Sequence, residues 1–96
     1  MISIKSYADL KTAINNAKRN KILVIKVNPE VRQNIINELY NDANWTLGSS
    51  IKFPNYKWYM FENYNDNMFI SIYDGEHEDC DEISVHFKIK KVYGEN

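Results

Sequence analysis

The residues of this chain that could do chemistry fall into two groups in its second half. The first is a run of six carboxylates, Asp74, Glu76, Glu78, Asp79, Asp81 and Glu82, in nine positions, with His77 and Cys80 among them. Such a run can hold a cation, imitate a phosphate backbone, or dock onto a basic partner. A calcium loop needs acids at alternate positions, a central glycine and a glutamate at the twelfth position, and this run lacks that register. His77 and Cys80 stand three apart, as two metal ligands can. A structural zinc site takes four ligands, and apart from lone His86 the chain has no second Cys/His pair. The expectation is a solvated, mobile loop whose charge keeps the neighbouring strand edge from aggregating, with docking of a partner as the next reading and no metal or other cofactor.

The second group lies on the strands around that loop. Ile83, Val85, Phe87 and Ile89 alternate with Ser84, His86, Lys88 and Lys90, the period of a strand with one buried and one wet face. In residues 68–73 the aliphatic set Met68, Ile70 and Ile72 reads as inward, which turns Phe69, Ser71 and Tyr73 outward. The parity of residues 57–62 is ambiguous, and placing Trp58 and Met60 inward leaves Tyr59 and Phe61 outward. On that reading the outer face carries Tyr59, Phe61, Phe69, Tyr73, His86, Lys88 and Lys90. Aromatics interleaved with lysines on a sheet can stack unpaired bases. They can equally form the centre of a protein interface, where aromatics are enriched. The plain alternative is that residues 45–56 fold across this face and bury it, or that the parity assigned to the strands is wrong.

Catalysis has little support. The chain has no Gly-rich phosphate loop and no spacing that marks an activated nucleophile. Cys80 sits among carboxylates, which suppress the thiolate. A mobile acidic loop offers neither the burial nor the positioning that acid–base work needs. The basic cluster Lys18-Arg19-Asn20-Lys21, with Lys11, reads as helix-dipole complementation and a solvated turn.

The elements that must position these groups can be read in order. Residues 2–4 suit a short edge strand. Ser6 is an N-cap with Asp9 three residues on, the capping-box spacing, and Tyr7, Leu10, Ile14 and Ala17 make an apolar stripe, which predicts a helix over 7–19. Residues 21–27 are apolar on both parities, as in a central strand or one covered on both sides. Asn28-Pro29-Glu30 is a strong helix start, followed by Val31, Ile35, Ile36, Leu39 and Tyr40, with an end near 41–44. Residues 45–56 carry turn chemistry and at most a brief strand at 51–53. Strands are predicted at 57–62, 68–73 and 83–92, the first two joined by a turn-rich hairpin connection. The order (β)αβαβββ implies an α+β two-layer sandwich, two N-terminal helices on a mixed, mainly antiparallel sheet of four to five strands, with the other sheet face open.

Composition sets outer limits. Ninety-six residues, 44% hydrophobic and 14% aromatic, make one folded domain spanning 1–96 and exclude a disordered chain. No apolar run reaches membrane-helix length, the N-terminus lacks a secretory signal, and the single cysteine cannot form an internal disulfide, so a cytoplasmic protein is expected. Residues 1–48 hold seven Lys/Arg against four Asp/Glu and residues 49–96 hold five against nine, so the halves carry +3 and −4. A near-neutral chain is a poor candidate for non-specific nucleic-acid binding.

These readings converge on a small non-enzymatic protein-binding protein, with Tyr59, Phe61, Phe69, Tyr73, Glu76, Glu78, Asp79, Asp81, His86 and Lys88 as its contact residues. Heavy use of Asn, Ile, Lys and Tyr with little Gly or Pro suggests an AT-rich genome, and from there an inhibitor carried by a phage or mobile element against a host nucleic-acid-handling or defence protein. The alternatives are a nucleic-acid or small-ligand binding module on the aromatic and lysine face, and a dimerising accessory domain of a bacterial regulator.

Overall fold

Two side-chain caps start the helices. In the computed structural model, which describes residues 2–87, Ser6 Oγ accepts from the Asp9 backbone N–H at 3.1 Å and opens α1 (Tyr7–Asn16). The Asp9 carboxylate in turn accepts from Lys5 N at 3.0 Å, one residue before the position a capping box uses. Asn28 Oδ1 accepts from Val31 N at 2.8 Å, and Pro29 is the first residue of α2 (Pro29–Asn41). The first helix ends three residues earlier than the sequence predicts, because Ala17 takes extended backbone. Lys18 and Arg19 therefore lie outside the last turn and do not complement its dipole. Arg19 instead lays its guanidinium 4.9 Å from the centre of the Phe87 ring.

Six strands build one sheet in the order β1-β2-β6-β5-β4-β3, two more than the lower end of the sequence expectation. They are β1 (Ile2–Ser3), β2 (Leu23–Lys26), β3 (Thr46–Lys52), β4 (Tyr56–Asn63), β5 (Met68–Gly75) and β6 (Glu82–Phe87). Only β1 and β2 pair in parallel, with α1 as their crossover, and every other pair is antiparallel. Helix α2 then carries the chain from β2, past β6, β5 and β4, to the far edge. The architecture is α+β with the order βαβαββββ, the further strand lying between α2 and the three strands predicted, since residues 46–52 form a full seven-residue strand instead of the brief one expected. That strand is an edge of the sheet, so residues 45–56 do not fold across its outer face. β2 is next to the other edge, not central, and Ile22 before it is 58% exposed.

One layer of apolar side chains joins the helices to the sheet. Leu10 and Ile14 of α1 and Val31, Ile35, Ile36 and Leu39 of α2 meet Ile25, Tyr59, Phe61, Met68, Ile70, Ile72, Ile83 and Val85. Full burial of each aliphatic or Phe side chain contributes roughly 1.5–3 kcal/mol. The inward set of β5 and β6 is as the alternation predicts. The parity of β4 is the reverse: Phe61 pairs with Ile70 and Tyr59 with Ile72, and cross-strand partners share a face. Phe61 is wholly buried and Tyr59 is 8% exposed, so neither belongs to the open face. Among the described residues no helix is long and apolar enough to cross a membrane.

Candidate functional site

The face of the sheet turned away from the helices is built from the alternate residues of each strand. Register brings Trp58 opposite Tyr73, Met60 opposite Ser71 and Glu62 opposite Phe69 on β4 and β5, and Phe69 opposite His86 and Ser71 opposite Ser84 on β5 and β6. Trp58 Nε1 donates to Ser71 Oγ at 2.7 Å. That bond satisfies the one polar group of the indole within the sheet and fixes its plane. The His86 ring stacks on Phe69 with centroids 4.4 Å apart and planes 2° from parallel, and its Nε2 shares a hydrogen bond with Ser84 Oγ at 3.1 Å. Burial against these neighbours lowers the His86 pKa from its ordinary value.

At the end of the sheet where β5 passes into β6, the aromatic surface continues onto the connecting segment. His77 stacks on Tyr73 (4.3 Å, 3°) and meets Tyr56 at 4.5 Å, while Tyr56 stacks on Phe53 at 4.5 Å. The Asp79 backbone N–H donates to His77 Nδ1 at 3.0 Å and holds the imidazole over the tyrosine. Because His77 lies on the outer face, its chain neighbours Glu76, Glu78 and Asp79 are carried to the margin of that face.

The acidic segment is anchored, which the expectation of a mobile loop did not include. Arg32 of α2 donates from Nε to Asp74 and from Nη1 to the carbonyl of Cys80, both at 2.8 Å. Glu76 N donates to Asn55 O at 2.7 Å and Val27 N to Asp81 O at 2.9 Å. Gly75 makes the turn possible: its φ is +139°, and a Cβ there would stand 2.5 Å from Asn55 O. Asp74 is thereby committed to the helix side. Asp81 binds Lys26 at 2.9 Å, an exchange that lowers the pKa of the carboxyl and raises that of the ammonium. Glu76 and Glu78 are exposed. Among the described residues no three His, Cys, Asp or Glu side chains converge as metal ligands would.

Of the contact residues expected from sequence, the structure brings Phe69, Tyr73 and His86 together on the open face and sets Glu76, Glu78 and Asp79 at its margin. Asp81 is at the same margin but ion-paired, Tyr59 and Phe61 are in the core, and Lys88 lies outside the described residues, as does Lys90. Trp58, Met60, Tyr56, Phe53 and His77 were missed. The charged residues of the strand gave no signal that could choose, since Glu62 shares the parity of Trp58 and Met60 while Lys57 shares that of Tyr59 and Phe61.

In chemical terms the face is an aromatic floor with an acidic margin. On its described strands the charged side chains of outward parity are Lys26, Glu62 and Glu82, and Lys26 is taken up by Asp81. A cleft of about 320 Å³ on the other side, between α1 and β1, is lined by the apolar Ile2, Ile4, Ala13, Ala17 and Leu23 and by the polar Ser3, Asp9, Thr12 and Asn16, with the Asp9 carboxylate accepting from Lys5 N. No protein-family model, curated protein or solved structure matches the chain.

Proposed function

We propose that the chain is a small, non-enzymatic protein-binding protein of the cytoplasm that acts by laying the open face of its sheet on another protein and masking what lies beneath. The observation that carries this reading is the pair of aromatic groups on the face opposite both helices, Phe53, Tyr56, Tyr73 and Trp58 towards one end and Phe69 stacked on His86 towards the other, with Met60, Ser71 and Ser84 between them. Tyrosine and tryptophan are the residues that most often dominate binding energy when an interface closes over them. Size supports the reading too. Strands β3–β6, about 4.8 Å apart and mostly seven or eight residues long at about 3.3 Å each, give a plan area of roughly 450 Å². With side-chain relief and the acidic margin, that is over half of the roughly 800 Å² each partner contributes to a standard interface. Protein suits this face better than nucleic acid, whose phosphates require several free cations.

The test is capture of partners from lysate of the native host by the wild-type chain and by a Trp58→Ser/Tyr73→Asp variant whose fold is checked by its amide NMR spectrum. A protein held by the wild type and lost by the variant supports the reading. Equal retention by both overturns it. A nuclease-sensitive set of partners would reassign the face to nucleic acid, and a wild-type dimer that becomes monomeric in the variant would reassign it to self-association.

A further inference from the structure

Resting on that reading, we infer that the partner surface is basic, and that it places an arginine side chain on the Tyr56–Tyr73–His77 cluster beside the carboxylates of Glu76, Glu78 and Asp79. Three observations lead there. The rings supply stacking area: Tyr73 and His77 lie parallel at 4.3 Å and Tyr56 closes on both, at 5.6 and 4.5 Å. A planar guanidinium stacks on such rings as an ammonium does not, and is more weakly hydrated, so it loses less on leaving water. The charge is complementary. Glu76 and Glu78 flank His77 in the chain and Asp79 is tied to its ring, while of the ammonium groups at this end of the sheet Lys26 is bound to Asp81 and Lys52 donates to the Phe53 carbonyl. The backbone that bears these carboxylates is also held before any partner arrives, because Arg32 and the Asn55 carbonyl fix the segment. Preorganisation reduces what association must spend on ordering a loop, and an acidic rim speeds encounter with a basic target.

The experiment titrates the ¹⁵N-labelled full chain with a short glycine–arginine repeat peptide and, separately, with the same peptide carrying neutral citrulline for arginine. Expected are shifts centred on Tyr56, Tyr73 and residues 76–79 with the arginine peptide and none with citrulline. Tyr73→Leu and the triple change Glu76→Gln/Glu78→Gln/Asp79→Asn should each weaken binding about tenfold, in the range of one cation–π contact or of a few rim charges. A control change of the exposed acids Glu30→Gln/Glu38→Gln on α2 should weaken it less than about twofold. Equal binding of the citrulline peptide, or a control as damaging as the loop triple, overturns the inference. The two readings fail separately. If a lysate partner is lost with Trp58→Ser/Tyr73→Asp but kept by the loop triple, the face stands and the basic partner falls. If the partner is indifferent to Trp58 and Tyr73, both fall.

Discussion

Arg32 and Asp74 are joined at 2.8 Å across the two layers of the fold, and the same guanidinium also holds the Cys80 carbonyl. One side chain thus ties both ends of the acidic segment to α2. The Arg32 side chain is 10% exposed and that of Asp74 is 25% exposed, so the pair is mostly shielded but the carboxylate keeps some water. Breaking a fully buried pair by removing one partner costs about 3–5 kcal/mol. Because the pair is only partly shielded, Arg32→Ala is expected below that range, at about 2–3 kcal/mol, by urea denaturation. Amide exchange at residues 76–81 should quicken more than in the strands. A loss under about 0.5 kcal/mol, the range of an ordinary surface change, would mean that the anchor contributes nothing.

The parity of β4 gives a second prediction. Phe61→Ala removes a wholly buried ring packed edge-on at 5.2 Å from Tyr40, and should cost about 3–5 kcal/mol. Its neighbour Met60→Ala, on the open face, should cost about 1 kcal/mol or less. Equal costs would show that the two faces of the strand had been exchanged.

The two glycines near the open face make a contrast. Gly75→Ala forces a side chain into φ +139° and sets its Cβ 2.5 Å from a backbone oxygen that cannot move aside, so a loss of about 2–3 kcal/mol is expected. At Gly48 a Cβ would instead meet the far end of the Glu62 side chain at 2.7 Å. That carboxylate accepts from Tyr64 OH at 2.5 Å, but both side chains are at the surface end of the strand and can shift together, so Gly48→Ala should cost about 1 kcal/mol. Thermal melts of the two variants beside the wild type decide this, and a Gly48 variant as unstable as the Gly75 variant would contradict it.

His86 gives the pH dependence. Burial lowers its pKa in the folded chain, while the unfolded value is near 6.5. The unfolded chain therefore binds more proton as pH falls below about 6.5. The stability held by the neutral ring is present above that pH and is lost as pH falls through the lower folded pKa. Melting temperatures should drop between neutral and mildly acid pH, and His86→Phe should flatten that drop. An NMR titration placing the His86 midpoint at or above the unfolded value would refute the assignment.

Much of the fold was legible because it is written in local chemistry. Ser6 and Asn28 announce both helix starts through caps that act within three residues. The alternation Met68, Ile70, Ile72 and Ile83, Val85 announces two strands and their buried side. The end of α1 was less legible, since Lys18 and Arg19 suit a last helical turn as well as they suit the turn into β2 and the contact with Phe87. The site was half legible. Phe69, Tyr73 and His86 followed from the alternation of their own strands. Tyr59 and Phe61 were misplaced because both parities of residues 57–62 are rich in large apolar groups, so alternation alone cannot choose.

The sequence by itself determined the class of the fold, two capped helices over a mainly antiparallel sheet, because caps, turns and period-two alternation act between residues close in the chain. Tertiary structure alone decided the parity of β4, the role of residues 46–52 as an edge strand, and the anchoring of the acidic segment by Arg32. Each of these depends on partners distant in sequence: Phe61 on Ile70, Ser50 on Tyr59, Arg32 on Asp74. Register and ion pairing are settled only when the chain closes on itself, where one face of a strand must be dry and a shielded charge must find its opposite.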